Sequence, residues 1–168
     1  MSFASMADVY FGYVDLTNAS LIDADLYLAY LANALLAGAD LTGAYLYDAY
    51  LGSADLNGAI LVGANLFDAH LSNANLSNAD LSNAVMFDAY LLTANLSNAN
   101  LSGADLTYAY LGQADLSNAD LSNADLSDAF LVGATMTGAV VPGVIWSNTI
   151  CPDGSLSDDN AGTCVGTW

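Results

Sequence analysis

Residues 114–127 read ADLSNADLSNADLS, so a five-residue unit repeats here almost without change. The same unit runs through most of the chain. Alanine stands at every fifth position from Ala19 to Ala139, and a large apolar residue, usually Leu, follows two positions later. With variants at its edges, the frame spans residues 4–143 as 28 consecutive units of the form A-[DN]-L-x-x. Internal repetition of this extent indicates a solenoid in which each unit stacks on others.

A period of five residues matches neither an α-helix, which repeats every 3.6 residues, nor a flat strand, which repeats every 2. On a helix, the Leu side chains would wind around the whole cylinder and leave no dry face. A coil that turns once per few units lets every Ala and Leu point to a common axis. The other positions are mainly Asp, Asn, Ser and Gly, which favour turns. The sequence therefore predicts an all-β solenoid.

The aromatic residues indicate how many units make one coil. Of the 15 Phe and Tyr residues, ten fall into two columns of a twenty-residue period. The first ring column comprises Tyr10, Tyr30, Tyr50, His70, Tyr90, Tyr110 and Phe130, and the second comprises Tyr27, Tyr47, Phe67 and Phe87. A coil of four units explains this clustering, and 28 units then make seven coils. Rings on adjacent coils would lie at the inter-strand spacing of about 4.8 Å, within stacking range.

Units such as those of residues 114–127 resemble the motif of the pentapeptide-repeat family, one unit after another. The resemblance covers residues 4–143 and implies a right-handed quadrilateral parallel β-helix with four units per coil. It also implies that the central Leu, and the Ala two positions before it, face the axis. We therefore expect a repeat domain over residues 4–143 and a C-terminal cap or tail over residues 144–168.

The charge of the chain excludes one class of partner. Lys, Arg and Glu are absent and there are 18 Asp residues, so the formal charge is −18. Such a protein repels nucleic-acid phosphate and suits a cation or a partner with a basic surface. No apolar run reaches the length of about 18 residues that a membrane-spanning helix needs, so we expect no membrane insertion.

A third column lies between the two ring columns and is mostly acidic. It comprises Asp8, Leu28, Asp48, Asp68, Asp88, Tyr108 and Asp128. Asp48, Asp68 and Asp88 are weak candidates for a hard cation such as Ca²⁺, which prefers carboxylate oxygens. The alternatives are a solvated acidic corner and a docking stripe. The predicted interaction surface comprises Tyr27, Tyr30, Tyr47, Tyr50, Phe67, His70, Phe87, Tyr90, Tyr110 and Phe130; with the three acids we call it the ring-and-acid corner.

The inventory of reactive residues argues against catalysis. His70 is the sole histidine and occupies a position in a ring column, so we expect one more stacked ring and not a base or metal ligand. A nucleophilic Ser needs an activating base, and a uniform Asp column does not separate two carboxyl pKa values as an acid–base pair requires. The sequence predicts a non-enzymatic protein with no catalytic residue and no cofactor.

The C-terminal tail begins where Pro142 and Gly143 interrupt the frame. A solenoid end exposes apolar cross-section and strand edges, so Trp146 is the predicted cap. The segment Cys151–Cys164 resembles short tails of some exported pentapeptide-repeat proteins. Its interior, rich in Gly, Asp and Ser, has too little apolar content to fold unaided, and two Cys without a nearby His are too few ligands for structural zinc. We expect a Cys151–Cys164 disulfide.

A disulfide would predict an extracellular, periplasmic or lumenal location, whereas its absence would predict the cytoplasm. No signal peptide is visible in MSFASMADVYF at residues 1–11, so export would require one that this sequence does not contain.

Three functions are compatible with these patterns. The first is an interaction rod that binds an unknown protein partner through the ring-and-acid corner, or that forms a homodimer or stack through a rod end. The second is a DNA-mimic inhibitor of DNA gyrase, known for some members of the family. Those relatives are cytosolic, and the Asp residues here are scattered over all faces. The third is a cation-, mineral- or ice-binding surface, for which regular Thr columns are missing.

Overall fold

The computed structural model of this chain describes residues 5–166. Its backbone pairing consists of isolated parallel β-bridges that join every fifth residue to the one twenty positions later, from Ser5↔Asp25 to Phe130↔Ile150. Four such series start at residues 5, 10, 15 and 20 and form the four faces of each coil. The fold is a quadrilateral parallel β-helix, as predicted. Each face is only one bridge wide, so the described residues contain no strand longer than a single bridge. Their one helical segment is a 3₁₀ turn, Ser157–Asn160.

A tight turn at each corner explains the polar half of the repeat. The carbonyl of the inward Leu accepts a hydrogen bond from the N–H of the Ala three positions later, as between Leu76 and Ala79 at 3.1 Å. The residue before that Ala has a positive φ, 60° at Asn78. Asn, Asp and Gly adopt this left-handed conformation most readily. Leu28 and Tyr108 adopt it too, at 56° and 61°, because the stacked coils impose it.

The inward positions form a continuous dry core. Every fifth residue from Leu26 to Leu131 is fully buried, including Met86, which replaces Leu without exposing the core. The intervening Ala residues are also buried, and their small side chains let adjacent faces approach closely. In the first described coil, Met6, Phe11 and Leu16 are only partly buried against this core.

Outward Asp and Asn residues at the bridge positions have a structural role. The Oδ1 atom of Asp120 accepts hydrogen bonds from the backbone N–H and the hydroxyl of Ser122, at 2.9 and 2.5 Å. These bonds lower the pKa of the Asp120 carboxyl. Asn also links coils: Nδ2 of Asn100 donates to Oδ1 of Asp80 at 3.0 Å, and Nδ2 of Asn75 donates to Oδ1 of Asp55 at 2.9 Å.

Backbone pairing does not end where the repeat sequence ends. The sequence breaks at Pro142 and Gly143, yet bridges continue to Ile145 and Ile150. Gly143 supplies the positive φ of the corner turn, 75°, and the carbonyl of Pro142 accepts the N–H of Asn123 at 2.9 Å. Pairing needs this backbone conformation more than it needs Ala and Leu, so bridges of the same kind continue to Ile150.

The tail closes the core by filling the same inward positions with other residues. Trp146 and Cys151 occupy Leu positions and Thr149 occupies an Ala position; all three are buried. The hydroxyl of Thr149 donates to the carbonyl of Leu126 at 2.7 Å. Trp146, which the sequence predicts as a cap, is an inward-facing core residue. The neighbouring Ile145 points outward and is exposed.

Beyond Cys151 the chain turns back on itself. Ile150 pairs with Leu156 in an antiparallel bridge, and the buried Ser157 receives the N–H of Thr149 on its hydroxyl. The predicted disulfide between Cys151 and Cys164 is confirmed, with Cα atoms 5.3 Å apart and both residues fully buried. The tail is thereby cross-linked to the last coil.

Candidate binding site: the ring-and-acid corner

The first ring column forms a stack along the rod. Ring centroids are 4.6 Å apart for Tyr10–Tyr30 and 6.2 Å for Tyr30–Tyr50. The His70 imidazole lies 4.8 Å from Tyr50 and 4.8 Å from Tyr90, nearly parallel to both. The Tyr90–Tyr110 pair follows at 5.0 Å. His70 is therefore a ring of the stack, in the position that the sequence predicts for it.

Phe130 departs from this stack although its backbone pairs with that of Tyr110. Its ring leans over Gly112, where Cε1 lies 3.4 Å from the position that a Cβ at residue 112 would take. The glycine leaves room for this ring and for Leu92, whose Cδ1 lies 2.9 Å from the same position. Periodicity places Phe130 in the column correctly but does not predict the direction of its ring.

The second ring column is a stack as well. Successive centroids lie 5.4 Å apart for Tyr27–Tyr47, 5.1 Å for Tyr47–Phe67 and 5.2 Å for Phe67–Phe87. Tyr108 extends it, edge-on to Phe87 at 5.3 Å, although it belongs to the acid column. Sequence reasoning missed this contribution. The signal was Thr107, which follows Phe87 in the second ring column and is not aromatic, so that the neighbouring Tyr108 can take the next place in the stack.

Asp48, Asp68 and Asp88 stand at corner turns between the two stacks. All three have positive φ, between 55° and 58°, and are half-buried by the flanking rings. Their charge acts on both sides. The pKa of Tyr47 is raised, chiefly by the charge of Asp48 and to a smaller extent by Asp68, while burial first, and then Asp68 and Asp88, raise the pKa of Tyr90.

The acids of this corner are arranged differently from those elsewhere on the rod. In two of the bridge columns an Asn on the next coil donates to the acid, as at Asp55 and Asp80, although Asp105 and Asp125 pair directly. Asp128, at the far end of the acid column, receives a hydrogen bond from Nδ2 of Asn148. Asp48, Asp68 and Asp88 instead follow one another on three successive coils with no amide between them. The corner thus combines three successive acids with two ring stacks.

Among residues 5–166, no group of three or more His, Cys, Asp or Glu side chains is arranged to hold a metal ion. The three acids therefore form a line and not a chelating cluster. Weak binding of a hard cation along that line stays a prediction. No helix within the described part of the chain is long and apolar enough to cross a membrane.

A cleft that the sequence did not predict opens on the face beside the corner, at the first three coils. It has a volume of about 490 Å³. Its lining comprises Ser5, Asp23, Asp25, Tyr27, Tyr45 and Tyr47. Tyr45 lies outside both ring columns, so periodicity alone gave it no role. The available signal was Gly43, which removes a side chain two residues before an exposed aromatic ring.

Comparison with known proteins agrees with this geometry. The model of pentapeptide repeats matches residues 24–63, 64–103 and 99–138. Four-sided coils, inward Leu and Ala, and positive-φ corner turns are what this repeat builds here. The chain belongs to the pentapeptide repeat family. No curated protein sequence matches it significantly.

Three solved structures show how similar the relatives are. HetL, from the cyanobacterium Nostoc sp. PCC 7120 and described as involved in regulating heterocyst differentiation, is 35% identical over 90% of this chain and 78% of its own, with a TM-score of 0.67. Rfr23 from the cyanobacterium Cyanothece 51142 is 34% identical over 61% of this chain and 63% of its own, with a TM-score of 0.40. QnrB1, a plasmid-mediated fluoroquinolone resistance protein, is 19% identical over 84% of this chain and 72% of its own, with a TM-score of 0.42.

Proposed function

We propose that this protein is a non-enzymatic interaction rod and that its ring-and-acid corner binds a protein partner through Lys or Arg side chains. The observation that carries the proposal is geometric: Asp48, Asp68 and Asp88 stand at corner turns on three successive coils, with a ring stack on either side. The three columns therefore form one continuous surface. The corner offers that surface along several coils, with a repeat set by the fold.

Basic side chains fit this surface for two reasons. A guanidinium or ammonium group forms charge-assisted hydrogen bonds with carboxylates, and the alkyl stem that carries it packs against aromatic rings. The chain has no Lys or Arg of its own to satisfy Asp48, Asp68 and Asp88. The stacked rings are also already ordered, so a partner loses little free energy in arranging them.

The sole histidine gives a clean way to test this function. The His70 ring lies between Tyr50 and Tyr90, inside the proposed site. Because the chain has no other histidine, the NMR signals of this imidazole can be assigned directly. Titration with a short oligoarginine peptide at fixed ionic strength should shift these signals and saturate. Replacing Asp48, Asp68 and Asp88 together by Asn should weaken binding by about tenfold, since exposed ion pairs each contribute up to about 1 kcal/mol.

The matched control removes the same charge elsewhere. Asp55, Asp80 and Asp120 occupy bridge positions where Asn also occurs in this chain, so their replacement by Asn should preserve the fold. The control then has the same net charge as the corner variant. This control should bind the peptide nearly as the unmodified protein does. Equal weakening in both variants would show diffuse electrostatic attraction and contradict a specific corner. Inhibition of DNA gyrase supercoiling, retained by the corner variant, would favour the DNA-mimic alternative instead.

A second mode of association is supported at the first coil, where Met6, Phe11 and Leu16 remain partly exposed. Apolar core residues on a coil with unpaired edges favour contact with another copy. We expect a chain of these 168 residues to associate end to end at high concentration. Light scattering should show a smaller mass for Phe11→Ser than for the outward control Tyr13→Ser; equal masses would exclude this end.

We also propose that the protein works in an oxidising compartment. The Cys151–Cys164 disulfide supports this, because disulfides persist outside the reducing cytosol and are rare within it. Thiol titration of protein purified from its native source without reductant should find no free thiol. Two titratable thiols would contradict the proposed location.

A further inference from the structure

The cleft beside the corner combines three aromatic rings with two carboxylates. The Tyr27 and Tyr47 rings stack at 5.4 Å and form one wall, and Tyr45, 55% exposed, stands on the neighbouring face. Asp25 is held in place, since its Oδ2 accepts the Ser5 hydroxyl at 3.0 Å and its Oδ1 accepts the Tyr27 N–H at 3.3 Å. The cleft is therefore an ordered pocket and not a gap between loose side chains.

A glycine makes room for one of the carboxylates of the cleft. Gly43 lies on the coil after Asp23 and two residues before Tyr45. A Cβ at residue 43 would collide with the Oδ1 atom of Asp23, so the glycine lets this carboxylate lie against the backbone at the edge of the cleft. The volume of about 490 Å³ is that of a small-molecule site and much exceeds what one inorganic ion fills.

We propose that this cleft binds an alkylammonium group, such as a methylated ammonium head. The Tyr45 ring, which belongs to neither stack, attracts a bulky cation of low hydration through its face. Tyr27 and Tyr47, which are stacked on each other, line the cleft beside it. Asp23 and Asp25 supply the opposite charge, and the chain has no Lys or Arg to compete for it. An anion would be repelled, and a neutral apolar ligand would lie against two carboxylates without satisfying either. The site goes beyond the ring-and-acid corner, because it shares only Tyr27 and Tyr47 with it.

Choline is the probe for this proposal, and its uncharged isostere 3,3-dimethylbutan-1-ol is the ligand control. At constant ionic strength, choline should shift the NMR signals of the cleft tyrosines and saturate, whereas the isostere should not. Tyr45→Leu keeps an apolar side chain but removes the π face, and it should weaken choline binding by about tenfold. Asp23→Asn should also weaken it, and Asn is readily accommodated at the positive φ of residue 23.

Two control variants leave the cleft intact. Tyr90→Ala removes a ring of the corner, and Asp80→Asn removes one charge far from the cleft; both should bind choline unchanged. Equal binding of the isostere and choline, or equal loss in Asp80→Asn and Asp23→Asn, would overturn the proposal. Because Tyr45 is not part of the corner, Tyr45→Leu should leave the oligoarginine response of His70 intact, so failure of one proposal does not imply failure of the other.

A third experiment distinguishes a polypeptide from a free small molecule as the source of the ammonium group. A short peptide that carries one trimethyl-lysine is compared with choline and with the same peptide carrying alanine at that position. Tighter binding of the methylated peptide identifies a polypeptide source, and equal binding of choline and methylated peptide identifies a free small molecule. Binding of the alanine peptide as tightly as the methylated one would contradict ammonium recognition.

Discussion

The repeat coils and the C-terminal tail solve the same packing problem with different means. In the repeat, each coil pairs with the next through the same bridges and the inward positions hold Leu or Met from residue 26 to residue 136. In residues 144–166, the core is closed by Trp146, Thr149 and a disulfide, each used once. The repeat distributes its stability over many equivalent contacts, as nearest-neighbour models of solenoids describe. The tail depends on a few contacts that have no replacement.

This comparison predicts that damage in the repeat spreads along the rod, whereas damage in the tail stays local.

The largest effect should come from a charge in the repeat core. Leu76 is fully buried, so Leu76→Asp places an unpaired carboxylate on the axis and should cost several kcal/mol, enough to unfold adjacent coils. Thermal unfolding followed by circular dichroism measures this effect. The control Asn75→Asp faces outward and should cost less than about 1 kcal/mol, the loss of its bond to Asp55 included. Similar melting temperatures for the two variants would disprove the inward and outward assignment.

Removal of the Trp146 side chain should have the next largest effect and should remain in the tail. Only 5% of the Trp146 surface is exposed. Trp→Ala changes in protein cores cost about 3–5 kcal/mol. Hydrogen exchange should show faster exchange at residues 144–164 and unchanged protection in the middle coils. Ile145→Ala, next to it but outward, should change little. Loss of protection along the whole rod would show that the tail and repeat unfold together.

Loss of the disulfide should have an intermediate effect. A cross-link that closes a loop of this length stabilises a fold by about 2–4 kcal/mol. The double variant Cys151→Ser, Cys164→Ser should therefore unfold at a lower denaturant concentration than the unmodified protein. Reductant should destabilise the unmodified protein and leave the double variant unchanged, because only the former contains the disulfide. The near-ultraviolet signal of the ring stacks should persist, because these rings lie in the repeat. Its disappearance would mean that the tail holds the repeat together.

A single ring of the repeat should matter much less. His70→Tyr extends the stack between Tyr50 and Tyr90 with the residue type already present there, so the stability should stay the same or rise slightly. Offset-stacked pairs contribute about 0.5–1.5 kcal/mol, with the low end expected at an exposed site. Denaturant titration measures the difference, and a decrease above about 1 kcal/mol would show a specific role for the imidazole.

The smallest effect should be the same in both regions, because it depends on local structure alone. Asp120 in the repeat and Asp153 in the tail each accept two hydrogen bonds from a Ser two residues later, which lower the pKa of both carboxyls. A lowered folded pKa stabilises the fold above the ordinary Asp pKa of about 3.9, and this contribution disappears as the pH falls through the folded value. Ser122→Ala and Ser155→Ala should return these pKa values toward the ordinary one in carbon-13 NMR titrations; a change at only one site would contradict a purely local cause.

The ring-and-acid corner was largely accessible from the sequence because a strict period converts position into geometry. Spacing by twenty places Tyr50, His70 and Tyr90 on one line, and no long-range information is needed once the coil length is known. The direction of a side chain is not periodic. Phe130 leans over Gly112 and Tyr108 crosses to the neighbouring stack because local space, and not register, decides where a ring lies.

The sequence by itself determined the four-sided coil, the inward Leu and Ala positions, the polar corner turns and the pairing of the two cysteines. Each follows from a short pattern that is repeated or from a small number of possible partners. Only the tertiary structure decided that pairing passes Pro142 and Gly143 to Ile150, and that Tyr45 completes a cleft with Tyr27 and Tyr47. These features depend on which side chains meet between coils twenty residues apart and on the backbone conformation that a preceding coil imposes, and neither is encoded within a five-residue unit.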